Sequence, residues 1–233
     1  MCGRFTLTFI AEELAEIFEL DEVPSSFPPR YNIAPSQPIA AIIKTNDNPV
    51  RHLSLLQWGL IPSWSKDPNM GNWLINARAE TAAEKPSFRN AFKRRRCLIP
   101  ADGFYEWQKQ ERRKQPFYIH LRENRAFAFA GLWETWQDIP TGTILTTEAN
   151  QSLQQIHDRM PVILKPQDYD KWLDPNNQNT AELQSLLKPF PSEEMESYPV
   201  SSEVNKPGND SPKCIDMNWY LLKRNRLELH LQY

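Results

Sequence analysis

The chain predicts an α+β fold in a single domain, a curled, mostly antiparallel β-sheet or barrel core flanked by helices. Three observations lead there. One amphipathic helical segment is followed by seven short β-type runs and then by helical segments, which is not the strand–helix alternation of a doubly wound parallel sheet. The 233 residues suit one core, at most two small ones, and a core of that size removes roughly 70% of the unfolded chain's surface from water without disulfides or structural metal. No internal repeat or break in composition divides residues 1–233.

Taken in order, Ile10 to Leu20 sets Ile10, Leu14, Ile17 and Phe18 against Glu12, Glu13, Glu16 and Glu19 at helical spacing. β-type runs follow at Ile39–Lys44, Leu53–Trp58, Arg96–Ile99, Phe104–Trp107, Pro116–Leu121, Ala126–Leu132 and Thr143–Thr147. From Glu148 the pattern turns helical, over Asn150–His157, Gln167–Leu173 and Thr180–Leu187. Pro189–Pro212 carries five prolines and reads as an extended surface strap. Trp73, Trp133, Trp136 and Trp172 are expected in the core, with Cys97 and Cys214 as small buried hydrophobes.

Twenty prolines against seven glycines, with no GxGxxG or GxxxxGK[ST] pattern, speak against nucleotide-dependent chemistry. Cysteines at 2, 97 and 214 form no CxxC, and histidines at 52, 120, 157 and 230 form no ligand pair, so neither metal nor cofactor is expected. The acidic first twenty residues do not resemble a signal peptide. The longest apolar stretch, Ala126–Trp133, is far short of the roughly 20 residues a membrane helix needs. A cytoplasmic monomer is the expectation, nucleoid-associated if bacterial. Net charge is -2, from 27 basic and 29 acidic side chains, which argues against a polybasic protein gripping nucleic acid over its whole surface. The sum hides an asymmetry: residues 1–125 hold 18 basic and 14 acidic groups, the remainder 9 and 15. Within the first half, Lys93–Arg96 and Arg112–Lys114 are tight basic clusters, read as solvated turns.

Met1-Cys2-Gly3-Arg4 is the most unusual segment. A small second residue permits removal of the initiator methionine, which would leave an α-amine and a thiol on the same residue. An α-amine of pKa about 7.7 to 8.0 is partly uncharged at neutral pH, and a thiol titrates near 8.5 before its surroundings act. Amine attack on an aldehyde gives a Schiff base that the sulfur can close into a five-membered thiazolidine, favoured by intramolecular proximity. Position 2 alone does not distinguish this from an incidental cysteine.

The segments Met1-Cys-Gly-Arg-Phe5, Tyr31-Asn-Ile-Ala-Pro35, Trp58-Gly-Leu-Ile-Pro-Ser-Trp64, Asn76-Ala-Arg-Ala-Glu-Thr81, Ala101-Asp-Gly-Phe-Tyr-Glu-Trp107 and His157-Asp-Arg-Met-Pro161 occur in that order. Together they closely resemble the SRAP family of SOS response-associated peptidases, with bacterial YedK-like members. The match thins towards Val200-Ser201 and Val204-Asn205, and Ile215–Tyr233 is an extension of open role. The resemblance implies the SRAP fold and a sensor of abasic sites in single-stranded DNA. It implies a covalent thiazolidine link through Cys2 after autocatalytic loss of Met1, with replication-fork proteins as candidate partners.

By the same resemblance Cys2, Asn76, Glu106 and His157 match the reactive positions. Glu106 suits general acid–base work, or else is a surface strand residue. His157 can serve the sugar oxygen during ring opening, or be structural. Asn76 can orient the sugar or the amine, or be a turn residue. Arg4, Arg78 and Arg159 lie near those positions and suit phosphates, with structural ion pairs as the other reading. Trp64 and Pro35 look like the family's apolar surface against flanking bases, and Asn32 and Thr146 match groove-lining positions. Two other readings stay open: a cysteine peptidase acting on other proteins with His157 as its base, and a noncovalent single-strand-binding module.

Overall fold

The computed structural model describes residues 2–22, 28–111 and 113–217. Arg112 of the second basic cluster and residues 218–233 of the extension lie outside them.

Strand β1 (Phe5–Leu7) leads into α1 (Ala11–Phe18). Glu13 accepts from the Ile10 N–H at 3.0 Å to close the helix start, and Ala11, Leu14 and Phe18 form the buried stripe. Ile10 and Ile17, expected on that face, are exposed, because they flank the stripe that 11, 14 and 18 define. The chain continues through β2 (Arg30–Ile33), β3 (Pro38–Ile43), β4 (His52–Trp58), β5 (Asn76–Arg78), α2 (Arg89–Arg94), β6 (Arg96–Ala101), β7 (Gly103–Lys109), β8 (Lys114–Leu121), β9 (Phe127–Trp136) and β10 (Ile139–Glu148). It ends through β11 (Arg159–Pro161), β12 (Ile163–Leu164), α3 (Tyr169–Leu173), α4 (Thr180–Ser185) and β13 (Met195–Pro199). All seven β-type runs fall on strands. The six further strands are two to five residues long, too short for alternation to reveal.

Two sheets share the core. One runs β13-β8-β7-β1-β2 and the other β11-β10-β4-β3-β6-β9-β12, with β9 also pairing β10. That last pairing closes β10, β4, β3, β6 and β9 into a five-stranded barrel. Phe5 packs edge-on against Trp58 and Phe129, with ring centroids 5.2 and 5.7 Å apart. Strand β6 passes almost directly into β7, one in each sheet. At the bend Asp102 accepts from Thr6 and Thr8. Gly103 is required there, since a Cβ would collide with the hydroxyl and ring of Tyr118.

Strand β10 outlasts the barrel. Its first half lies between β4 and β9, while Ile144–Thr146 runs parallel to β5 and Thr146–Glu148 antiparallel to β11. This overhang brings three distant segments together at one end of the barrel.

Several expectations are corrected. Residues 151–156 form successive turns instead of a helix: the Asn150 side chain takes the Leu153 N–H at 3.1 Å, and the Ala149 N–H bonds the Asp158 carbonyl at 3.0 Å, closing the segment into a loop between β10 and β11. The strap at 189–212 contains β13, paired with β8, and a 3-10 turn at Ser202–Asn205. Arg96, expected in a solvated turn, is buried, its guanidinium donating to the carbonyls of Phe92, Lys93, Trp172, Asp174 and Asn177. Trp136 and Trp172 are buried and Trp133 packs half-buried on the core, but Trp73 is 81% exposed. Leu74 and Ile75, next in the chain, take the packing positions instead. Cys97 and Cys214 are buried thiols.

Candidate active site

Antiparallel pairing of β1 with β7 sets Phe5 opposite Phe104 and Thr6 opposite Gly103, and the Tyr105 N–H donates to the Arg4 carbonyl at 3.0 Å. Extending that register puts Gly3 opposite Glu106. The two-residue period turns Glu106 to the face that carries Phe104, towards the main core. Cys2 and Glu106 are both buried here.

The Cys2 thiol donates to the Arg4 carbonyl at 3.8 Å. Burial first, and the neighbouring Glu106 charge second, push this thiol well above its ordinary range. Burial likewise raises the Glu106 carboxyl, opposed by positive charge around it, that of His157 included. Both groups therefore hold their protons more tightly than they would in water. A carboxyl raised in this way is suited to giving or taking a proton.

Asn76 opens β5 opposite Ile144 of β10. Its side-chain Nδ2 donates to the Cys2 carbonyl at 2.8 Å. Its Oδ1 is buried with no donor among the described residues. His157 arrives from the turn before β11, where its Nδ1 accepts from the Arg159 N–H at 3.0 Å. The neutral ring in that arrangement carries its proton on Nε2. Asp158 Oδ1 stands 3.0 Å from the same Nδ1 and would receive the proton of the charged ring.

Arg159 opens β11 opposite Glu148 of β10. Its guanidinium makes a forked pair with Glu80 at 2.8 and 2.9 Å, and also donates to the Thr146 carbonyl at 2.6 Å. The Arg159 hydrogen bonds hold the Glu80 carboxyl below its usual range. Among the described residues no group of three His, Cys, Asp or Glu side chains converges as a metal site, and no helix is long and apolar enough to cross a membrane.

A sequence profile described as SOS response associated peptidase (SRAP) matches residues 1–207. The chain belongs to the SRAP family. Among its relatives are the abasic site processing protein YoqW of Bacillus subtilis, 47% identical over 224 residues covering 93% of this chain and 99% of the relative, and YoaM of the same organism, 48% identical with 93% and 98% covered. HMCES of Xenopus tropicalis, also called an abasic site processing protein, is 30% identical with 92% and 78% covered. A crystal structure of a protein from Bacteroides thetaiotaomicron superposes with a TM-score of 0.82 at 29% identity, covering 92% of this chain and 99% of the other. A phage-related protein of Bordetella bronchiseptica gives 0.69 at 30% identity, with 85% and 94% covered.

Residues of four of the SRAP motifs are linked here: Asn76 to Cys2 by its hydrogen bond, and Glu106 to Cys2 and to His157 through charge. Arg4 is half-buried beside them, donating to the Gly3 carbonyl at 3.0 Å and the Asn205 carbonyl at 3.5 Å. Arg78 and Trp64 are exposed, and Pro35 sits half-exposed in the turn after β2. Thr146 is buried, with its hydroxyl 3.5 Å from the Ala77 carbonyl.

Two expectations change. Asn32, expected to line a DNA groove, is fully buried, and its amide donates to the carbonyls of Val204, Lys206 and Asn209 at 3.1, 3.0 and 2.8 Å. Its amide nitrogen ties down the strap. Arg159, expected to hold a phosphate, has its charge already matched by Glu80. Glu80 itself lay inside a quoted motif, but nothing in the sequence pairs it with Arg159 across 79 positions. Asn205 was missed as well: besides holding Arg4, its Oδ1 accepts from Trp107 Nε1 at 2.7 Å.

Proposed function

We propose that this protein recognises abasic sites in single-stranded DNA and becomes covalently linked to them through Cys2, after removing its own initiator methionine. The observation that carries this reading is the buried pair Cys2 and Glu106, with half-buried Asn76 gripping the Cys2 carbonyl at 2.8 Å. Relatives at 47% and 48% identity named for abasic site processing support it.

Self-processing hydrolyses the Met1–Cys2 bond, consuming one water, releasing methionine and leaving an α-amine on Cys2. The amine nitrogen adds to the aldehyde carbon of a ring-opened deoxyribose, and the carbinolamine loses water to give an imine. Cys2 Sγ then adds to the imine carbon while its proton passes to nitrogen, closing the thiazolidine. Glu106 serves the proton transfers of amine deprotonation and dehydration. His157, with Nε2 carrying the proton, serves the sugar oxygen during ring opening. Asn76 fixes Cys2 through its carbonyl, and the unfilled Oδ1 accepts from the new amine or a sugar hydroxyl. A thiol kept protonated by burial stays unreactive until the imine forms next to it, when intramolecular closure needs little driving force.

Incubation with a single-stranded oligonucleotide carrying one abasic site, followed by a denaturing gel, tests the proposal. A heat-stable shifted band is expected with the wild type and none with Cys2→Ala. A band that survives Cys2→Ala, or no band with the wild type, overturns the thiazolidine mechanism. Cleavage of unrelated protein substrates would favour a general cysteine peptidase instead.

A further inference from the structure

Trp73 is the most exposed large hydrophobic side chain among the described residues, at 81%. The backbone beneath it is firmly held. Asp67 accepts from the Asn69 N–H at 2.9 Å to start the 3-10 turn Pro68–Asn72, and the Trp73 and Leu74 N–H groups both donate to the Met70 carbonyl at 3.1 Å. Leu60 N–H donates to the Leu74 carbonyl at 3.2 Å. Gly59, at φ +132°, lets Gly71 approach so closely that a Cβ would collide with the Gly71 carbonyl oxygen. An indole left in water on so well-tied a turn is displayed by the fold.

Its position relates it to the reactive residues. Three residues of chain bound the Trp73–Asn76 Cα separation at about 11 Å, a few nucleotides at most, and Asn76 holds Cys2 directly. Arg78, two residues beyond Asn76, is exposed and offers a positive charge of the kind that suits a phosphate. Ser36, after Pro35, bonds Asn72 at 3.4 Å, so the Pro35 turn adjoins the residue before Trp73. Asn69 and Asn72 of the same turn are exposed polar residues. An exposed π-face, with the exposed Arg78 following in the same stretch of chain, matches an unpaired nucleobase.

We propose that Trp73 is a base-stacking platform, additional to Trp64, for a nucleotide flanking the abasic site. The inference rests on the abasic-site reading above. The probe is a fluorescent single-stranded oligonucleotide with a central tetrahydrofuran, which cannot open to an aldehyde and so reports binding without crosslinking. A second oligonucleotide has its flanking nucleotides replaced by tetrahydrofuran as well. Trp73→Ala is expected to weaken binding to the first about tenfold, Trp73→Phe to restore most of it, and wild type and Trp73→Ala to bind the second alike. A change within about twofold on the first oligonucleotide overturns the platform. An equal loss on both also overturns it, since a base-independent effect means a structural or phosphate role. If the wild type crosslinks abasic DNA while Trp73→Ala binds normally, this inference alone falls; a wild type that forms no crosslink overturns the underlying function.

Discussion

The side-chain amide of Asn76 donates a 2.8 Å hydrogen bond to the backbone carbonyl of Cys2. Strand β5 is thereby joined to the segment leading into β1, although no strand pairing connects them. Cys2 is thereby held through its own peptide group, a bond in which its side chain takes no part.

Asn76→Ala should therefore slow crosslinking without unfolding the protein. Loss of this part-buried hydrogen bond is worth about 0.5 to 1.5 kcal/mol, and misplacement of Cys2 adds to it, so a drop of about tenfold or more in single-turnover rate is expected. Crosslinking time courses at saturating abasic DNA measure it. An unchanged rate would remove Asn76 from the positioning of Cys2.

Glu106→Gln should separate stability from reactivity. The raised Glu106 carboxyl keeps its proton in the folded state at pH values where the unfolded chain, titrating near 4.3, has lost it. That carboxyl consequently subtracts stability as pH climbs from the unfolded value through the folded one, and the penalty is complete above both. The substituted amide carries no charge to bury, so the variant should melt at or above the wild-type temperature at neutral pH while crosslinking more slowly with unchanged DNA affinity. Thermal melts between pH 4 and 8, run alongside crosslinking rates, decide it; a lower melting temperature across that range would contradict the assignment.

Glu80→Gln should change how salt affects binding. In the folded protein Glu80 matches the Arg159 charge, so Arg159 contributes little to phosphate neutralisation. Removing the carboxylate charge frees Arg159, and the slope of log affinity against log salt for single-stranded DNA should steepen by about 0.7. An unaltered slope would show that Arg159 never faces the backbone. Glu80 is half exposed in its side chain, so little change in folding stability is expected.

Asn32→Ala should destabilise the fold and leave DNA recognition intact. Three carbonyls of the strap lose their common donor, and the summed loss should reach about 2 to 4 kcal/mol. Urea unfolding gives the first quantity and anisotropy with tetrahydrofuran DNA the second. A selective loss of affinity at native stability would return Asn32 to the groove.

Cys2, Asn76, Glu106 and His157, the set proposed to react, could be named together because each rides on a short motif, and seven strands showed themselves through local runs of β-formers. Short strands such as β5 and β11 were not readable. A three-residue strand has no period of its own and exists only because the overhang of β10 supplies partners. Trp73 illustrates the same limit from the other side: its hydrophobicity equals that of Trp58, which is fully buried with Nε1 bonded to the Ile75 carbonyl at 2.9 Å. Arg96 repeats it for charge, since the carbonyls that satisfy it come partly from Trp172, Asp174 and Asn177.

The α+β class and the seven longer strands follow from the sequence alone, since local patterning is a property of neighbouring residues. Tertiary structure alone decided which polar groups are spent inside the protein and which face outward. Asn32 and Arg159 are committed to internal partners while Trp73 stands in solvent. Burial and hydrogen-bond satisfaction depend on atoms brought together from far along the chain, and no local window of sequence contains them.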